Sequence, residues 1–363
     1  MKITLKNTPE QVELVKAMAS RNRDVAYEAQ TALAEFIGPV LSEVINQAPA
    51  LSNLFTTLQY NADDNPSIPL DLYFDVADED YIQVFSQSRA GGLPTSEVLP
   101  TSSELKIATY SLDSAVSFDR RYAAKSRMDV VAKTMTRVAQ EILLKQNTIS
   151  ANVVLSALAN ASTGGTSHLL SSAVANKFTL ADLNAMLTKS KRIVTSFAGG
   201  TPDARQGKGI TDIIVSPEIV ENLRAIAYNP LSDGVPNASV IAEDAYKAAG
   251  APQFYGINVI ELNEMGVSQK FNSLFTAAAT SASITPAHGS TAFVDADDEL
   301  VLGIDRTRES LIRPVAVDAE NGGEFNLIAD DQYSIRQNKI GYFGSLEEGR
   351  VVLDNRALVG VVV

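Results

Sequence analysis

Side chains able to carry covalent or acid–base chemistry are scarce. The 363 residues contain two histidines, His168 and His288, and no cysteine. Without cysteine there is no disulfide, zinc thiolate, iron–sulfur ligand or thiolate nucleophile. A metal centre would have to be built almost wholly from carboxylates. His168 follows Gly165-Thr-Ser167, close to a nucleophile elbow, but Leu169 stands where that turn needs glycine. His288, in Pro286-Ala-His-Gly289, reads as a turn residue. Gly207-Lys208-Gly209 glances at a phosphate loop. Pro202 stands where its first glycine belongs, and Gly209 where a magnesium-holding hydroxyl belongs. Asp295-Ala-Asp297-Asp298-Glu299 and Asp78-Glu79-Asp80 offer oxygens to a hard cation, without the spacing of a helix–loop–helix calcium site. They read as acidic turns. No catalytic, cofactor or metal site is assigned, and a chain of this length without visible chemistry reads as structural rather than enzymatic.

The elements that would position such groups say more. There are 30 Lys and Arg against 43 Asp and Glu, a formal charge of −13. That argues against a surface coating nucleic acid throughout and leaves room for one basic face. The N-terminal stretch lacks the apolar core of a signal peptide, and no run approaches a membrane span. A soluble protein made in the cytosol, without a membrane partner, is expected.

Residues 1–50 read as a helical arm. Thr8-Pro9-Glu10 is a start signal, with a hydroxyl cap, proline at the first helical position and an acid at the positive end. A second helix is predicted from Asp24 to a stop at Gly38-Pro39, and a third over Val40–Gln47. Residues 60–112 alternate like long antiparallel strands around a loop. From 60 to 105 nine acids face a single base, Arg89. The acids include Asp71, Asp75, Asp78, Glu79 and Asp80, and such a ribbon suggests an arm projecting from the body. Residues 119–163 hold neither glycine nor proline. Val131, Met135, Val138, Ile142, Ile149 and Val153 share one face, predicting one helix from 120 to 160, roughly 60 Å long. Its start is basic, with Arg120, Arg121, Lys125 and Arg127.

From 178 onward helices and strands alternate. Ser216-Pro217-Glu218 caps a helix after the buried strand Thr211–Val215. Residues 276–290 read as a loop. The last sixty residues read as β, with Asn321-Gly322-Gly323 predicting a hairpin turn. The apolar end, Leu358-Val-Gly-Val-Val-Val363, must be paired and buried.

This order of elements resembles the major capsid protein of tailed bacteriophages, the Hong Kong-type capsid fold shared with encapsulins. Phe178–Phe197 followed by Thr211-Asp-Ile-Ile-Val-Ser-Pro-Glu-Ile-Val-Glu-Asn-Leu223 is similar to the family's helix, strand and proline-capped helix. Asp331-Gln-Tyr-Ser-Ile-Arg336, Gly341–Gly344 and Asp354-Asn-Arg-Ala-Leu-Val359 are similar to its closing strands. The resemblance spans essentially the whole chain as an order of elements, and its force is cumulative.

The resemblance implies an α+β fold with an N-terminal arm at 1–57 and an extended β-ribbon loop at 58–118. A peripheral domain would comprise residues 119–177, which hold the spine helix, and the strands of 305–363, and an axial domain would span 178–304. It further implies a non-enzymatic shell protein without cofactor, self-assembling as pentamers and hexamers in the virion capsid after assembly in the host cytoplasm. Scaffolding, portal and decoration proteins and packaged double-stranded DNA are the implied partners. Asp71, Asp75, Asp78, Glu79, Asp80 and Arg89 would lie between subunits. Arg120, Arg121, Lys125 and Arg127 would face a neighbouring subunit or DNA. Some family members weld subunits through a loop lysine, but residues 60–105 contain none and Lys106 lies at the ribbon's base. An encapsulin-like compartment and a carboxylate-dependent enzyme are the alternatives.

Overall fold

The computed structural model describes residues 8–46, 50–61, 66–69, 104–163, 166–174, 176–195, 209–228, 253–254, 256–282, 293–317, 324–330 and 337–363. Its helices are α1 (Pro9–Ala17), α2 (Arg23–Asn46), α3 (Arg120–Ala124), α4 (Met128–Ala159), α5 (Leu180–Thr195), α6 (Pro217–Tyr228) and α7 (Lys270–Ala282). Its strands are β1 (Thr56–Asn61), β2 (Ser67–Pro69), β3 (Glu104–Lys106), β4 (Thr109–Asp119), β5 (Ser162–Thr163), β6 (Thr166–Ser167), β7 (Leu169–Ser171) and β8 (Asp212–Val215). They continue with β9 (Gln253–Phe254), β10 (Ile257–Glu261), β11 (Leu300–Ile304), β12 (Leu311–Val317), β13 (Asn326–Asp330), β14 (Lys339–Gly349), β15 (Val351–Val352) and β16 (Leu358–Val362). The fold is α+β, as the sequence leads one to expect. The chain forms two compact units, one of 1–66, 108–151 and 312–351, the other of 67–107, 152–311 and 352–363.

The first unit is a sheet with helices on one face. Its strand order is β1-β12-β14-β13, and β4 lies along β14 from Lys339↔Asp119 to Gly349↔Thr109. Strand alternation turns Ile340, Tyr342 and Leu346 of β14 into the core. There they meet Met18, Ile37 and Leu41 of the N-terminal segment and Val131, Met135, Val138 and Ile142 of α4. These four residues are the first part of the predicted stripe; Ile149 and Val153 are half-buried.

Two sequence expectations give way here. The helix predicted over 120–160 is broken. After α3, the amide of Arg127 bonds the carbonyl of Tyr122 at 3.0 Å and the amide of Ser126 bonds that of Ala123 at 2.9 Å. Ser126 takes a left-handed φ of 52° between them. This is a glycine-type helix ending made without glycine, so α4 starts at Met128 and runs about 48 Å. Conversely, α2 continues through the predicted stop at Gly38-Pro39. Pro39 is exposed, while Ile37, Leu41 and Ile45 stay on the buried face, so core contacts outweigh the one lost helix bond. The hairpin turn predicted at Asn321-Gly322-Gly323 lies outside the described residues; among the described residues β12 and β13 show no pairing with each other. Each pairs with β14 instead.

The second unit holds a sheet of order β7-β16-β11-β8-β10-β9. All residues of β8, β11 and β16 are buried, which explains their nearly unbroken apolar runs. The apolar C-terminus is therefore a central strand, pairing with β11 from Leu300↔Val362 to Ile304↔Leu358. The expected grouping of all of 305–363 with the spine helix differs from this pairing, because β16 belongs to the sheet that carries β8 and β11. α7 occupies part of a segment expected to be loop. Phe271, Phe275 and Ala279 recur every fourth residue and are buried, and Phe275 meets Phe293 edge to face at 4.8 Å. No helix among the described residues is long and apolar enough to cross a membrane.

Candidate assembly surfaces

Asp71, Asp75, Asp78, Glu79, Asp80 and Arg89 lie outside the described residues. The ends of their segment are paired antiparallel, Ser67↔Lys106 through Pro69↔Glu104, which gives the segment the ribbon-like base expected from its alternation.

The four basic residues at the start of the spine have separate fates. Asp119 caps α3 by accepting from the amide of Arg121 at 2.9 Å, and the Arg121 guanidinium returns to the same carboxylate at 2.8 Å. Arg121 thereby holds the Asp119 carboxyl below its ordinary range. Arg120 is half-buried and its Nε donates to the carbonyl of Ala19 at 3.3 Å. Arg127 lies 3.9 Å from Asp129, and Lys125 is exposed. Much of the charge read as available is therefore spent locally. The free basic surface lies further along α4, at Lys133, Arg137 and Lys145, all exposed.

The strongest electrostatic feature was not legible in the sequence. Inside the first unit, the carboxylate of Glu348 is fully buried. It accepts from Arg313 Nε at 2.6 Å, Arg350 Nη2 at 3.1 Å, the Tyr110 hydroxyl at 2.8 Å and Gln146 Nε2 at 3.0 Å. Burial pushes its carboxyl up, but Arg350 and Arg313 reverse that and leave it below the ordinary value. Burial and the Glu348 charge push the Tyr110 phenol up. Arg350 also stacks over Phe55, 5.1 Å from the ring centre, and donates to the carbonyl of Ser52 at 3.1 Å. Arg313 reaches Asn46 at 3.3 Å. One carboxylate thus joins α4, β4, β12, β14 and the turn before β1. The one signal available was an arginine embedded in the apolar run Leu311-Ile-Arg-Pro-Val-Ala-Val317.

The second unit contains a cavity of about 340 Å³ lined by Glu218, Glu221, Asp297, Glu299 and the C-terminal Val363. Glu299 accepts from the Ser216 hydroxyl at 2.8 Å, and burial raises its carboxyl. In the adjoining acidic turn, Asp298 accepts from the amide of Val294 and Asp295 from the Ser273 hydroxyl, both at 2.8 Å. These carboxylates hold the turn together. Among the described residues, no three histidines or acids are grouped to bind a metal ion. His168 is buried, with Nδ1 3.1 Å from the carbonyls of both Asn355 and Leu358, and burial lowers its basicity. It ties β16 to the turn before β7. His288 lies outside the described residues.

Neither a protein-family model nor a curated protein matches the sequence. Solved structures do match. The mature capsid of bacteriophage PhiM1 aligns with a TM-score of 0.50 at 10% identity, covering 86% of each chain. The capsid of a native GTA particle aligns at 0.50 and 11% identity, covering 86% of this chain and 89% of that one. Microbacterium phage Oxtober96 aligns at 0.50 and 11%, covering 86% and 90%. With so little identity, it is the fold that is shared with these phage capsid subunits, the Hong Kong-type capsid fold.

Proposed function

We propose that this chain is the major capsid protein of a tailed phage, a structural subunit without catalysis that self-assembles into the icosahedral shell around double-stranded DNA. The observation that carries the reading is the breadth of the match: the shared fold covers 86% of this chain and between 86% and 90% of the capsid chains. A lone shared domain would not do that.

On this reading residues 1–57 form the N-terminal arm, and 58–118, apart from the strands β1 and β4 that they lend to the first sheet, form the extended loop that reaches a neighbouring subunit. The spine helix and the strands of the first sheet form the peripheral part, and the second sheet the axial part. The acids of the loop, Asp71, Asp75, Asp78, Glu79 and Asp80, pair with bases of a neighbour, so their charge is balanced in the shell rather than in the chain. Lys125 and Arg127 face a neighbour or the packaged DNA. Pentamers and hexamers close the shell, and scaffolding, portal and decoration proteins are its partners during assembly in the host cytoplasm. Electron microscopy and light scattering on the purified protein test this. Closed particles hundreds of ångströms across, filled with DNA when taken from infected cells, are expected. A protein that stays monomeric even with its phage's assembly partners overturns the reading.

A further inference from the structure

The two sides of the first unit carry opposite charge around exposed apolar side chains. On the open face of its sheet, Phe343 is the register partner of both Ile328 on β13 and Ala115 on β4. The three stand in one row across adjacent strands. Ile328 is 47% exposed and Phe343 37%, although cross-strand apolar rows of this kind ordinarily lie under something. Asp113, opposite Ser345, and Glu347 stand on the same face in the next two rows toward the C-terminal end of β14. Their partners are hydroxyls, Ser111 to Asp113 at 2.7 Å and Tyr60 to Glu347 at 3.3 Å.

The opposite side is the outer face of α4. Because Val131, Met135, Val138 and Ile142 turn inward to β14, Lys133, Arg137, Gln140, Glu141 and Leu144 form an exposed stripe at helical spacing. Lys145 lies beside it, and Leu144 is 46% exposed. Among the described residues, no carboxylate pairs with Lys133, Arg137 or Lys145. One surface thus has two acids beside its apolar row, and the other has Leu144 among three bases, Lys133, Arg137 and Lys145, and one acid, Glu141.

We propose that the α4 stripe of one copy, Lys133, Arg137, Leu144 and Lys145, docks on the sheet row of the next, Ile328 and Phe343 with Asp113 and Glu347 beside them. The occupant follows from charge complementarity. The two surfaces lie on opposite faces of one layered unit, so they do not meet within a chain or across a two-fold axis. Each copy offers one surface forward and one backward, a heterologous contact that closes into a ring under rotation. The apolar side chains supply the burial, and the charges beside them set register and steer association. The inference rests on the shell-forming reading and names a contact within it.

The absence of cysteine makes the test clean. The L144C/F343C double variant of the full chain is assembled, oxidised and run on a non-reducing gel. A ladder of disulfide-linked multimers, absent from L144C and F343C alone, is expected. Assembled particles that run only as monomers overturn the contact. Charge reversal gives a second measurement, with folding checked by circular dichroism. K133E/R137E and D113K/E347K should each lower particle yield about tenfold, and the four-residue swap should restore it. Wild-type yield from K133E/R137E overturns the contact, and if those shells also retain less DNA, the stripe belongs to nucleic acid. If the wild-type chain never assembles, the shell reading itself falls and takes this contact with it.

Discussion

Arg313 Nε and a Glu348 carboxylate oxygen lie 2.6 Å apart where the two side chains are 5% and 0% exposed. A carboxylate so placed is tolerable only because Arg350, Tyr110 and Gln146 complete its shell. Removing the charge strands two buried guanidinium groups. E348Q is expected to destabilise the protein by about 3–5 kcal/mol, read from urea unfolding. A loss under about 1 kcal/mol would mean that water enters the cluster and satisfies the arginines.

The same residue sets an acid dependence. Its folded carboxyl is held below the ordinary value of 4.5, so the unfolded chain takes up the proton first. The stability it contributes is complete above the unfolded value and drains as pH falls through the folded one. The gap in unfolding midpoint between wild type and E348Q should therefore be constant from neutral pH to about 5 and narrow below the carboxylate range. A gap that widens in acid would reverse the assigned sign.

Gly360 marks a close approach in the second sheet. A Cβ there would stand 2.6 Å from Leu169 Cδ2 and 2.9 Å from Leu158 Cδ2. G360A should cost about 1–3 kcal/mol by overpacking. Adding L158A should recover part of the cost if crowding is the cause, and a double-mutant cycle by thermal unfolding decides that.

Pro39 makes the opposite prediction. It sits exposed inside α2 without an amide to donate. P39A restores the bond to the carbonyl of residue 35 and should stabilise by up to about 3 kcal/mol. A lower melting temperature would show that the core requires proline at this position.

Deletion of residues 70–100 should separate folding from assembly. Both six-stranded sheets, and the short β2–β3 pair as well, are built from residues outside that span. A protein with native circular dichroism that forms no shells is expected. Loss of folding would place the segment in a core.

Much of the fold was legible because its signals are local. Thr8 caps α1 and Ser216 caps α6 with hydroxyls bonded three residues on, at 3.4 and 3.2 Å. The apolar runs of β8, β11 and β16 announced full burial, and the periodicity of α4 announced the face that meets β14. The acidic excess of 60–105 and the order of elements carried the functional reading as well. What the sequence could not settle depends on partners far along the chain. Glu348 and Arg313 are 35 residues apart and Gln146 another 167 before Arg313, so no window of sequence shows that they share a site. Helix α2 runs through Gly38-Pro39, and the spine breaks at Ser126, because tertiary burial of several kcal/mol outweighs local propensities of about 1 kcal/mol. The same competition put β16 beside β11 and paired β12 and β13 with β14. Composition and periodicity decide which residues must be buried; only packing decides against what.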